Sequence, residues 1–305
     1  MIDLSIVVLN WNVRDLLDRC LASLRSDRYI LEIVVVDNAS RDDSVAVVRA
    51  KYPHVLVIAN QANRGFTGGN NQGIEASHGR YVMVLNPDTE ALGDALDRLV
   101  VYLDEHPGVG AIGPQLLNPD RSIQSSRRRF PTLTTAFFES TWLQGLAPKR
   151  ILTRYYMDDV PATATHEVDW LNGACTVFRR EALDRVGLYD ARNFFMYSEE
   201  LDLCRRVKEA NWKVVYLPEA QVVHYVGKSS EQAVAARHIH FQTSKVHYFR
   251  KWHGAFPADL LRLFLLSQYV WQIGLESVKG LLGSKRELRQ QRVRVYWQVV
   301  RTGLK

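Results

Sequence analysis

Short apolar runs alternate along the first part of the chain with segments in which apolar residues recur every three or four positions. The runs at residues 4–9, 33–36, 55–58 and 81–85 are rich in β-branched side chains, which predicts buried strands. Residues 14–24 have helical spacing, and Ser40 is placed to cap a helix that contains residues 45–48. This order of strands and helices predicts an α/β fold with a doubly wound, mostly parallel sheet.

The same patterns predict further elements up to residue 217. Strands are expected at residues 109–112, 175–179 and 214–217, and helices at 96–103, 180–186 and from 198 onward. A turn at residues 86–90 is expected to lead into a helix that begins near Leu92. Residues 137–161 show no regular pattern, so we expect them to form a mobile loop that covers the functional site.

From residue 256 onward the chain is dense in apolar residues but repeatedly interrupted by polar ones. Because a membrane-spanning helix needs ~20 mainly apolar residues, these interruptions argue against one. An amphipathic helix at a membrane interface, a helix packed on the preceding domain and a dimer contact all remain open for this tail. We therefore predict a first domain at residues 1–254 and a basic, helical extension at residues 255–305.

The net charge of +6 is concentrated in the last segment of the 305 residues. The basic residues there are Lys285, Arg286, Arg289, Arg292, Arg294, Arg301 and Lys305. Such a tail suggests an acidic partner, either a membrane surface or a nucleic acid. Specific nucleic-acid binding is not expected, since the tail contains no recognised module and few aromatic residues that could stack on bases.

The cysteines and the N-terminus point to a reducing compartment. Cys20, Cys175 and Cys204 are odd in number and far apart, so neither a disulfide framework nor a clustered metal site is indicated. The N-terminal residues form no basic region followed by a cleavage site, so no signal peptide is predicted. The expected location is the cytoplasm.

Acidic turns follow two of the predicted strands. Asp37 ends the second strand, and Asp88 lies in the sequence N-P-D-T directly after the strand at 81–85. The carboxyl edge of an open α/β sheet is where ligands bind, and a single carboxylate there suits a hard divalent cation that also carries phosphate oxygens. An Asx-type turn that caps the next helix is an equally good interpretation of Asp88.

The segment at residues 60–74 is rich in glycine and asparagine. Gly65, Gly68 and Gly69 could let the backbone approach a ligand closely, and a helix that starts around Asn70 could present N–H groups to an anion. The segment matches neither a P-loop nor the dinucleotide fingerprint. An ordinary surface loop is the alternative interpretation.

Three later features have both a structural and a functional interpretation. Glu199, Glu200 and Asp202 could favour a helix N-terminus, or they could supply a desolvated general base behind the aromatic residues at 194–197. The arginines at 127–129 could form a solvated face or contact a diphosphate or a lipid head group. His224 could be structural or could bind a metal.

Taken together, the motifs resemble those of the inverting glycosyltransferases of family 2, in the rhamnosyltransferase-like branch. The matching sequences are I-V-V-L-N-W-N at 6–12, V-V-D-N-A-S at 35–40, N-R-G-F-T-G-G-N-N-Q-G at 63–73, L-N-P-D at 85–88, N-G-A at 172–174, F-F-M-Y-S-E-E-L-D-L-C-R-R at 194–206, and His224 before G-K-S-S at 227–230. The resemblance covers residues 4–254, and the ordered set is far more specific than any single motif.

This resemblance implies a GT-A fold, a nucleotide-sugar donor and Mg²⁺ or Mn²⁺. It implies that Asp37 recognises the nucleoside, that Asp88 and His224 bind the metal, and that Glu200 is the catalytic base, with Glu199 and Asp202 supporting it. The residues expected at the donor are Asn10, Asp37, Asn38, Asn63, Gly65, Phe66, Gly69, Asn70, Asn86, Asp88 and Gly173.

The sequence departs from the family pattern at two positions. Asn86 stands at the first position of the D-x-D motif, which leaves a single acidic metal contact there. Glu200 stands where Asp is more frequent, so Glu199 remains a competing candidate for the base.

The expected reaction is transfer of a sugar, with rhamnose favoured, from a dTDP or UDP donor to a hydroxyl of a glycan or polyprenyl-diphosphate-linked acceptor of the cell surface. The alternatives are a family 2 enzyme with another UDP-sugar specificity and a nucleotide-sugar-binding scaffold that has lost turnover. The expected location becomes the cytoplasm or the inner face of the cytoplasmic membrane, where an anionic surface could bind the tail.

Overall fold

The structure is a computed structural model that describes residues 1–225, 234–283 and 285–305. Its strands are β1 (Leu4–Asn10), β2 (Leu31–Asp37), β3 (Leu56–Ala59), β4 (Tyr81–Leu85), β5 (Thr89–Ala91), β6 (Val109–Leu117), β7 (Arg127–Arg128), β8 (His166–Glu167), β9 (Trp170–Leu171), β10 (Cys175–Arg179) and β11 (Lys213–His224). Its α-helices are α1 (Arg14–Ser23), α2 (Ser44–Lys51), α3 (Gly65–Glu75), α4 (Ala95–Glu105), α5 (Leu133–Phe138), α6 (Lys149–Tyr156), α7 (Arg180–Val186), α8 (Glu199–Glu209), α9 (Val234–His253), α10 (Ala255–Leu281) and α11 (Arg286–Thr302).

The central sheet has the strand order β3-β2-β1-β4-β10-β6-β11-β5, and β8 pairs with β11. β3, β2, β1 and β4 are parallel to one another, and β6 and β11 are parallel to each other. β10 runs antiparallel between β4 and β6. The predicted α/β fold with a mostly parallel sheet is therefore confirmed, with one reversed strand at its centre.

Both faces of this sheet are covered, which explains why its strands read as continuous apolar runs. On one face, Met83 of β4 belongs to a buried cluster with Leu17 of α1 and Leu99 of α4. On the other face, Val84 belongs to a second cluster with Ile74 of α3 and Leu203 of α8. Neighbouring residues of one strand point into different clusters because side chains alternate across a sheet.

Several local predictions were wrong. Residues 137–161 are largely helical, comprising the end of α5, a 3-10 turn at Trp142–Leu146 and α6, so the expected loop is not present there. Thr132 caps α5, since its Oγ1 accepts a hydrogen bond from the N–H of Thr135 at 3.1 Å. These helices are too short for a repeated apolar spacing to be recognised in the sequence. Helix α9 was also missed by the sequence analysis.

Two predicted helix starts also needed correction. Ser40 does not cap α2, which begins at Ser44; its Oγ instead accepts hydrogen bonds from the N–H of Asn12 at 2.9 Å and from Nδ2 of Asn10 at 3.1 Å. The helix after Asp88 begins at Ala95 rather than near Leu92. The intervening residues form β5, which pairs with β11.

Contacts divide the chain into two compact units. The first comprises Met1–Phe130, Tyr156–Phe195 and the described part of Glu199–Ser229, and it contains the whole central sheet. The second comprises Pro131–Tyr155, Met196–Ser198 and the described part of Ser230–Lys305. The division at residue 254 that we drew from the sequence stays a prediction about domains, because a compact unit need not fold by itself.

The second unit is built around α10, which packs on α5, α9 and α11. The rings of Phe137 and Phe264 meet edge to face at 4.7 Å, and Nδ1 of His238 lies 3.0 Å from the hydroxyl of Tyr269. Glu276 binds Arg289 of α11 at 2.6 Å. In the described ranges, no helix has the length and apolar character needed to cross a membrane.

Candidate active site at the ends of the parallel strands

Asn10 and Asp37 end the neighbouring strands β1 and β2 in register with each other. Nδ2 of Asn10 donates a hydrogen bond to Oδ1 of Asp37 at 2.8 Å, and Oδ2 of Asp37 accepts one from the N–H of Ser40 at 2.9 Å. Oδ1 of Asn10 is buried and has no hydrogen-bond partner among the described residues. Such an atom usually has a partner when buried, so it is available to a ligand at this edge.

Asn38 connects strand β2 to the glycine-rich segment. Its Nδ2 donates to Oδ1 of Asn63 at 3.2 Å and to the carbonyl oxygen of Gly65 at 2.9 Å, while its Oδ1 accepts from Nδ2 of Asn60 at 3.1 Å. Oδ1 of Asn63 also accepts from the N–H of Gly65 at 2.8 Å. The predicted donor residues at 38, 63 and 65 therefore lie together at the start of α3.

The glycines of α3 make close packing contacts. A Cβ atom on Gly69 would lie 2.3 Å from Cδ1 of Leu9, and one on Gly65, whose φ is +76°, would lie 2.6 Å from the carbonyl oxygen of Phe195. That carbonyl also accepts the N–H of Phe66 at 2.8 Å. These contacts explain why glycine is needed here without a ligand, so the predicted close approach of backbone to donor stays a prediction.

Asn70 lies inside α3, because this helix starts at Gly65 and not around Asn70 as predicted. It is fully buried, and its Nδ2 donates to the carbonyl oxygen of Phe66 at 2.9 Å. Its Oδ1 has no partner in the described part of the chain. Asn70 thus resembles Asn10 in having one buried acceptor to offer.

The N-P-D turn is held from two sides. The N–H of Asn86 donates to the carbonyl oxygen of Ala174 at 2.9 Å, and the N–H of Tyr225 donates to the carbonyl oxygen of Asp88 at 2.8 Å. Thr89 closes the turn with a 2.7 Å bond from its Oγ1 to the carbonyl oxygen of Asn86. The Asx-type alternative does not describe this turn, since the helix that Asp88 would cap begins only at Ala95.

Asp88 and His224 face each other, although they are far apart in sequence. Both are buried, and Nε2 of His224 lies 3.4 Å from Oδ1 of Asp88. Nδ1 of His224 lies 2.7 Å from Oε1 of Gln124. Nε2 of Gln124 donates to Oδ1 of Asn118 at 2.9 Å, which fixes the orientation of the Gln124 amide.

The Gln124 amide thereby selects the tautomer of His224. With Oε1 of Gln124 as its neighbour, Nδ1 of His224 carries a proton, which leaves Nε2 as the ring nitrogen that faces Asp88. Nε2 has no hydrogen-bond partner in the described ranges. A ring nitrogen and a carboxylate that face each other suit a shared cation, so these two side chains fit a metal ion with a nitrogen and an oxygen ligand.

No group of three or more His, Cys, Asp or Glu side chains that could hold a metal occurs in the part of the chain that the structure describes. Any ion at Asp88 and His224 would need further ligands from a bound molecule or from water. The predicted match at 227–230 lies outside the described residues.

Glu199 and Glu200 form a second pair at the start of α8, in which Glu199 is buried and Glu200 is partly exposed. Burial and the neighbouring Glu200 carboxylate raise the pKa of Glu199 well above its ordinary value. Burial also raises the pKa of Glu200, but backbone N–H groups, including that of Gly173, and the side chain of Glu199 oppose this rise. The rise in pKa is the larger for Glu199, so Glu199 is the member of the pair that holds a proton more readily.

Asp202 points into a different set of contacts. It is fully buried and binds Nε of Arg206 at 2.9 Å. Arg206 in turn donates to the carbonyl oxygens of Val186 and Leu188, both at 2.7 Å. Asp202 thus anchors the end of α7 to α8, while its predicted support of the site stays a prediction.

The arginine run has internal partners. Arg127 is buried and donates to the carbonyl oxygens of Val160 and Pro161 at 2.7 and 3.0 Å, and Arg129 binds Asp159 at 2.8 Å. The guanidinium of Arg128 lies 4.6 Å from the ring centre of Tyr156. These contacts hold residues 156–161 and account for the run without an anionic ligand.

A family model described as glycosyl transferase family 2 matches residues 5–187, a range that includes Asn10, Asp37, the α3 segment, Asp88 and Gly173. The chain belongs to glycosyl transferase family 2. It is therefore a glycosyltransferase, and the predicted family is confirmed.

The relatives of this transferase include rhamnosyltransferases. An N-acetylglucosaminyl-diphospho-decaprenol L-rhamnosyltransferase of Mycobacterium tuberculosis is 30% identical over 251 residues, which cover 77% of this chain and 81% of the relative. The rhamnosyltransferase WbbL of Escherichia coli is 24% identical over 229 residues, covering 72% of this chain and 82% of the relative. These matches support the rhamnosyltransferase branch.

Among solved structures, the mannosyltransferase PcManGT from Pyrobaculum calidifontis, in complex with GDP-Man and Mn²⁺, superimposes with a TM-score of 0.56. The identity is 18%, and the match covers 99% of this chain and 84% of that one. At this identity the likeness shows the fold alone, and it confirms the GT-A fold of the transferase.

Gln124 is the residue of this site that sequence reasoning missed. It lies 100 positions from His224 along the chain, shortly before the arginines at 127–129. No local pattern links the two, so only a comparison of many related sequences could have indicated the pair before the structure did.

Proposed function

We propose that this transferase moves rhamnose from a nucleoside diphosphate donor to a hydroxyl of a lipid-linked glycan, with inversion at the anomeric carbon and with Mg²⁺ or Mn²⁺ bound. The similarity to the N-acetylglucosaminyl-diphospho-decaprenol L-rhamnosyltransferase of Mycobacterium tuberculosis, at 30% identity, supports this acceptor class. dTDP-rhamnose is the favoured donor, and a UDP-sugar is the alternative.

One observation carries the proposal: the metal candidate and the base candidate are joined by a short chain of contacts. Asp88 lies two residues after Asn86, whose N–H binds the carbonyl oxygen of Ala174. The preceding residue, Gly173, lies against the side chain of Glu200, since a Cβ atom on Gly173 would lie 3.6 Å from Cβ, Cδ and Oε1 of Glu200. A diphosphate near Asp88 and an acceptor hydroxyl near Glu200 would therefore be held at neighbouring positions.

Asp88 and His224 are the residues proposed to hold the metal, and the donor diphosphate would complete its ligand set. When bound, such an ion supplies positive charge that stabilises a diphosphate leaving group. Gln124 contributes by keeping the proton on Nδ1 of His224, so that Nε2 stays available. Asn86 contributes its backbone to the shape of the turn.

Glu200 is the proposed general base. Its carboxylate accepts the proton of the acceptor hydroxyl while the hydroxyl oxygen forms a bond to the anomeric carbon, and the bond from that carbon to the diphosphate oxygen breaks. Attack from the face opposite the leaving group inverts the anomeric centre. Burial raises the pKa of Glu200, which strengthens the carboxylate as a base, whereas Glu199 keeps its proton and orients Glu200.

The remaining predicted residues would bind the donor. Asp37 and the buried acceptor atoms Oδ1 of Asn10 and Oδ1 of Asn70 offer hydrogen-bond partners to the nucleoside and the sugar. Asn38, Asn63, Gly65, Phe66 and Gly69 would shape this pocket through the start of α3. We further propose that catalysis resides in residues 1–254, and that the transferase works at the inner face of the cytoplasmic membrane, where a lipid-linked acceptor would be presented.

Thermal stabilisation by a panel of nucleotide sugars, with and without Mn²⁺, tests the donor and metal together. A ligand at 100 times its Kd stabilises the native state by about 2.7 kcal/mol, which should raise the Tm by about 4 °C for a protein of this size. We expect dTDP-rhamnose with Mn²⁺ to give the largest shift, and Asp88→Ala to abolish it.

Asp27→Ala is the matched control, because Asp27 is exposed and lies outside the candidate site. It should leave the shift unchanged. The absence of a shift with every donor in folded protein would refute the proposed donor site, and a shift independent of Mn²⁺ and Asp88 would refute the metal assignment.

A further inference from the structure

The outward face of α10 is largely apolar, with Ser267 as an exposed polar residue between Leu263 and Val270. Its exposed apolar residues lie on one side of the helix and form a row, which we call the α10 stripe: Phe256, Leu260, Leu263, Val270, Trp271, Leu275, Val278 and Leu281. The opposite face, which includes Leu261, Leu265 and Tyr269, is buried. With 27 residues, α10 extends this stripe over about 40 Å.

The stripe is too exposed to be part of the protein core. Phe256 is 80% exposed, Trp271 63% and Leu281 86%, and Leu282 directly after the helix is 80% exposed. Soluble proteins rarely leave an apolar patch larger than a few hundred Å² in water, and larger patches mark protein or membrane contacts. This surface therefore needs a partner that can cover a long, narrow apolar row.

Basic residues accompany the stripe. α11 contains five arginines and one glutamate. Arg289 and Arg292 bind Glu276, whereas Lys285, Arg286 and Arg294 are exposed. Lys285 and Arg286 follow closely after Leu281 and Leu282, so cationic and fully exposed apolar side chains lie at the same end of α10.

The combination of an apolar stripe with basic residues indicates which kind of partner covers this surface. A second copy of the chain would bring two basic α11 helices together, and their like charges would oppose pairing. A nucleic acid would leave the apolar row uncovered. An anionic bilayer satisfies both features, since the acyl region accepts the apolar residues while the head groups attract arginine and lysine.

We infer that the α10 stripe docks the transferase on an anionic lipid bilayer, with α10 lying in the plane of the interface and the Leu281–Leu282 end inserted beside Lys285 and Arg286. This deepens the proposed function, because it names the surface that brings the enzyme to a lipid-linked acceptor. Docking itself requires neither donor nor catalysis.

Sedimentation of the full chain with lipid vesicles tests this inference. We expect binding to phosphatidylcholine vesicles that contain phosphatidylglycerol, and binding about fivefold weaker for each removed cation near the surface in Arg286→Gln and Arg294→Gln. The double variant Leu281→Ser/Leu282→Ser should bind about tenfold more weakly than the wild type, or more weakly still, because it removes apolar groups from the bilayer. A blue shift of tryptophan fluorescence that Trp271→Phe removes would report burial of the stripe.

Leu146→Ser is the matched control, because Leu146 is 70% exposed but lies in the 3-10 turn outside the stripe. It should bind vesicles like the wild type. Equal binding by wild type and the Leu281/Leu282 variant would overturn the inference, as would binding that does not depend on anionic lipid. Sedimentation velocity adds a further outcome: a wild-type dimer that the double variant dissociates, without vesicle binding, would identify the stripe as a contact between copies.

Donor-induced thermal shifts measured on the same variants separate this inference from the proposed function. Variants that lose vesicle binding but keep the donor shift support docking by the stripe. If Asp88→Ala loses the donor shift but keeps vesicle binding, the result bears on the proposed metal and donor site and leaves docking by the stripe unaffected.

Discussion

Glu200→Gln is the substitution that tests the proposed chemistry most directly. Gln keeps the size of the side chain, but it cannot take a proton from an acceptor hydroxyl. General-base catalysis typically contributes 10²–10⁴-fold, or about 2.7–5.5 kcal/mol of barrier. We expect kcat to fall by about that factor, while donor binding changes little because Glu200 is not among the predicted donor contacts.

Glu199→Gln is the matched variant. In the wild type, Glu199 supplies a proton to the Glu200 carboxylate, and the amide of Gln would still donate a hydrogen bond there. We therefore expect kcat within about threefold of the wild type, since an amide donor replaces a protonated carboxyl. Both rates would be measured as acceptor-dependent release of nucleoside diphosphate under saturating donor.

The pH dependence of stability gives an independent check on which glutamate holds the proton. A carboxyl with a raised pKa in the folded state stabilises that state below its unfolded value of 4.5, and this contribution is lost as the pH rises through the folded value. Wild-type protein should therefore lose stability from pH 4.5 upward, and Glu199→Gln should flatten this loss in urea unfolding. Full turnover by Glu200→Gln, or a larger rate loss in Glu199→Gln, would refute the assignment.

Two further predictions concern packing and the metal ligand. Gly73→Ala should lower the free energy of unfolding by about 1–3 kcal/mol, because the new Cβ would lie 2.2 Å from Cγ1 of Val7. Gly274→Ala is the control, since nothing lies within 4 Å of the new Cβ. It should be neutral or should raise the free energy of unfolding by up to ~1 kcal/mol. Equal urea midpoints for the two variants would contradict this packing argument. Gln124→Met should weaken Mn²⁺ binding about 10–100-fold in calorimetry with nucleotide present. Gln124→Glu keeps an acceptor for Nδ1 of His224 and should bind Mn²⁺ with nearly the wild-type affinity. Unchanged Mn²⁺ affinity in both variants would exclude a positioning role for Gln124.

The wrong predictions have a common physical origin. Residues 133–156 form short helices that are stabilised by contacts such as Phe137 with Phe264, so their own sequence carries little periodicity. Ser40 was predicted to cap α2 because of its position before an apolar helix, but tertiary hydrogen bonds to Asn10 and Asn12 engage its hydroxyl. Local propensity is a weak prior when partners distant in sequence compete for the same group.

The sequence by itself determined the fold class of the protein and the edge of the sheet at which the candidate site lies. The apolar runs of β1, β2 and β4 must be buried on both faces, and the polar residues that end them, such as Asn10, Asp37 and Asp88, therefore gather at one edge of the sheet. The ordered motifs were enough to indicate glycosyl transferase family 2, because each one falls at the end of a predictable element.

Only the tertiary structure decided how those residues are paired. It inserted the antiparallel β10 between β4 and β6, which brings Ala174 to the N-P-D turn and Gly173 to Glu200. It joined Gln124 to His224 across 100 residues, and it buried Glu199 beside Glu200, which raises the pKa of Glu199 well above its ordinary value. Tautomers and pKa values depend on neighbours in space and on burial, and neither is encoded in any local stretch of the chain.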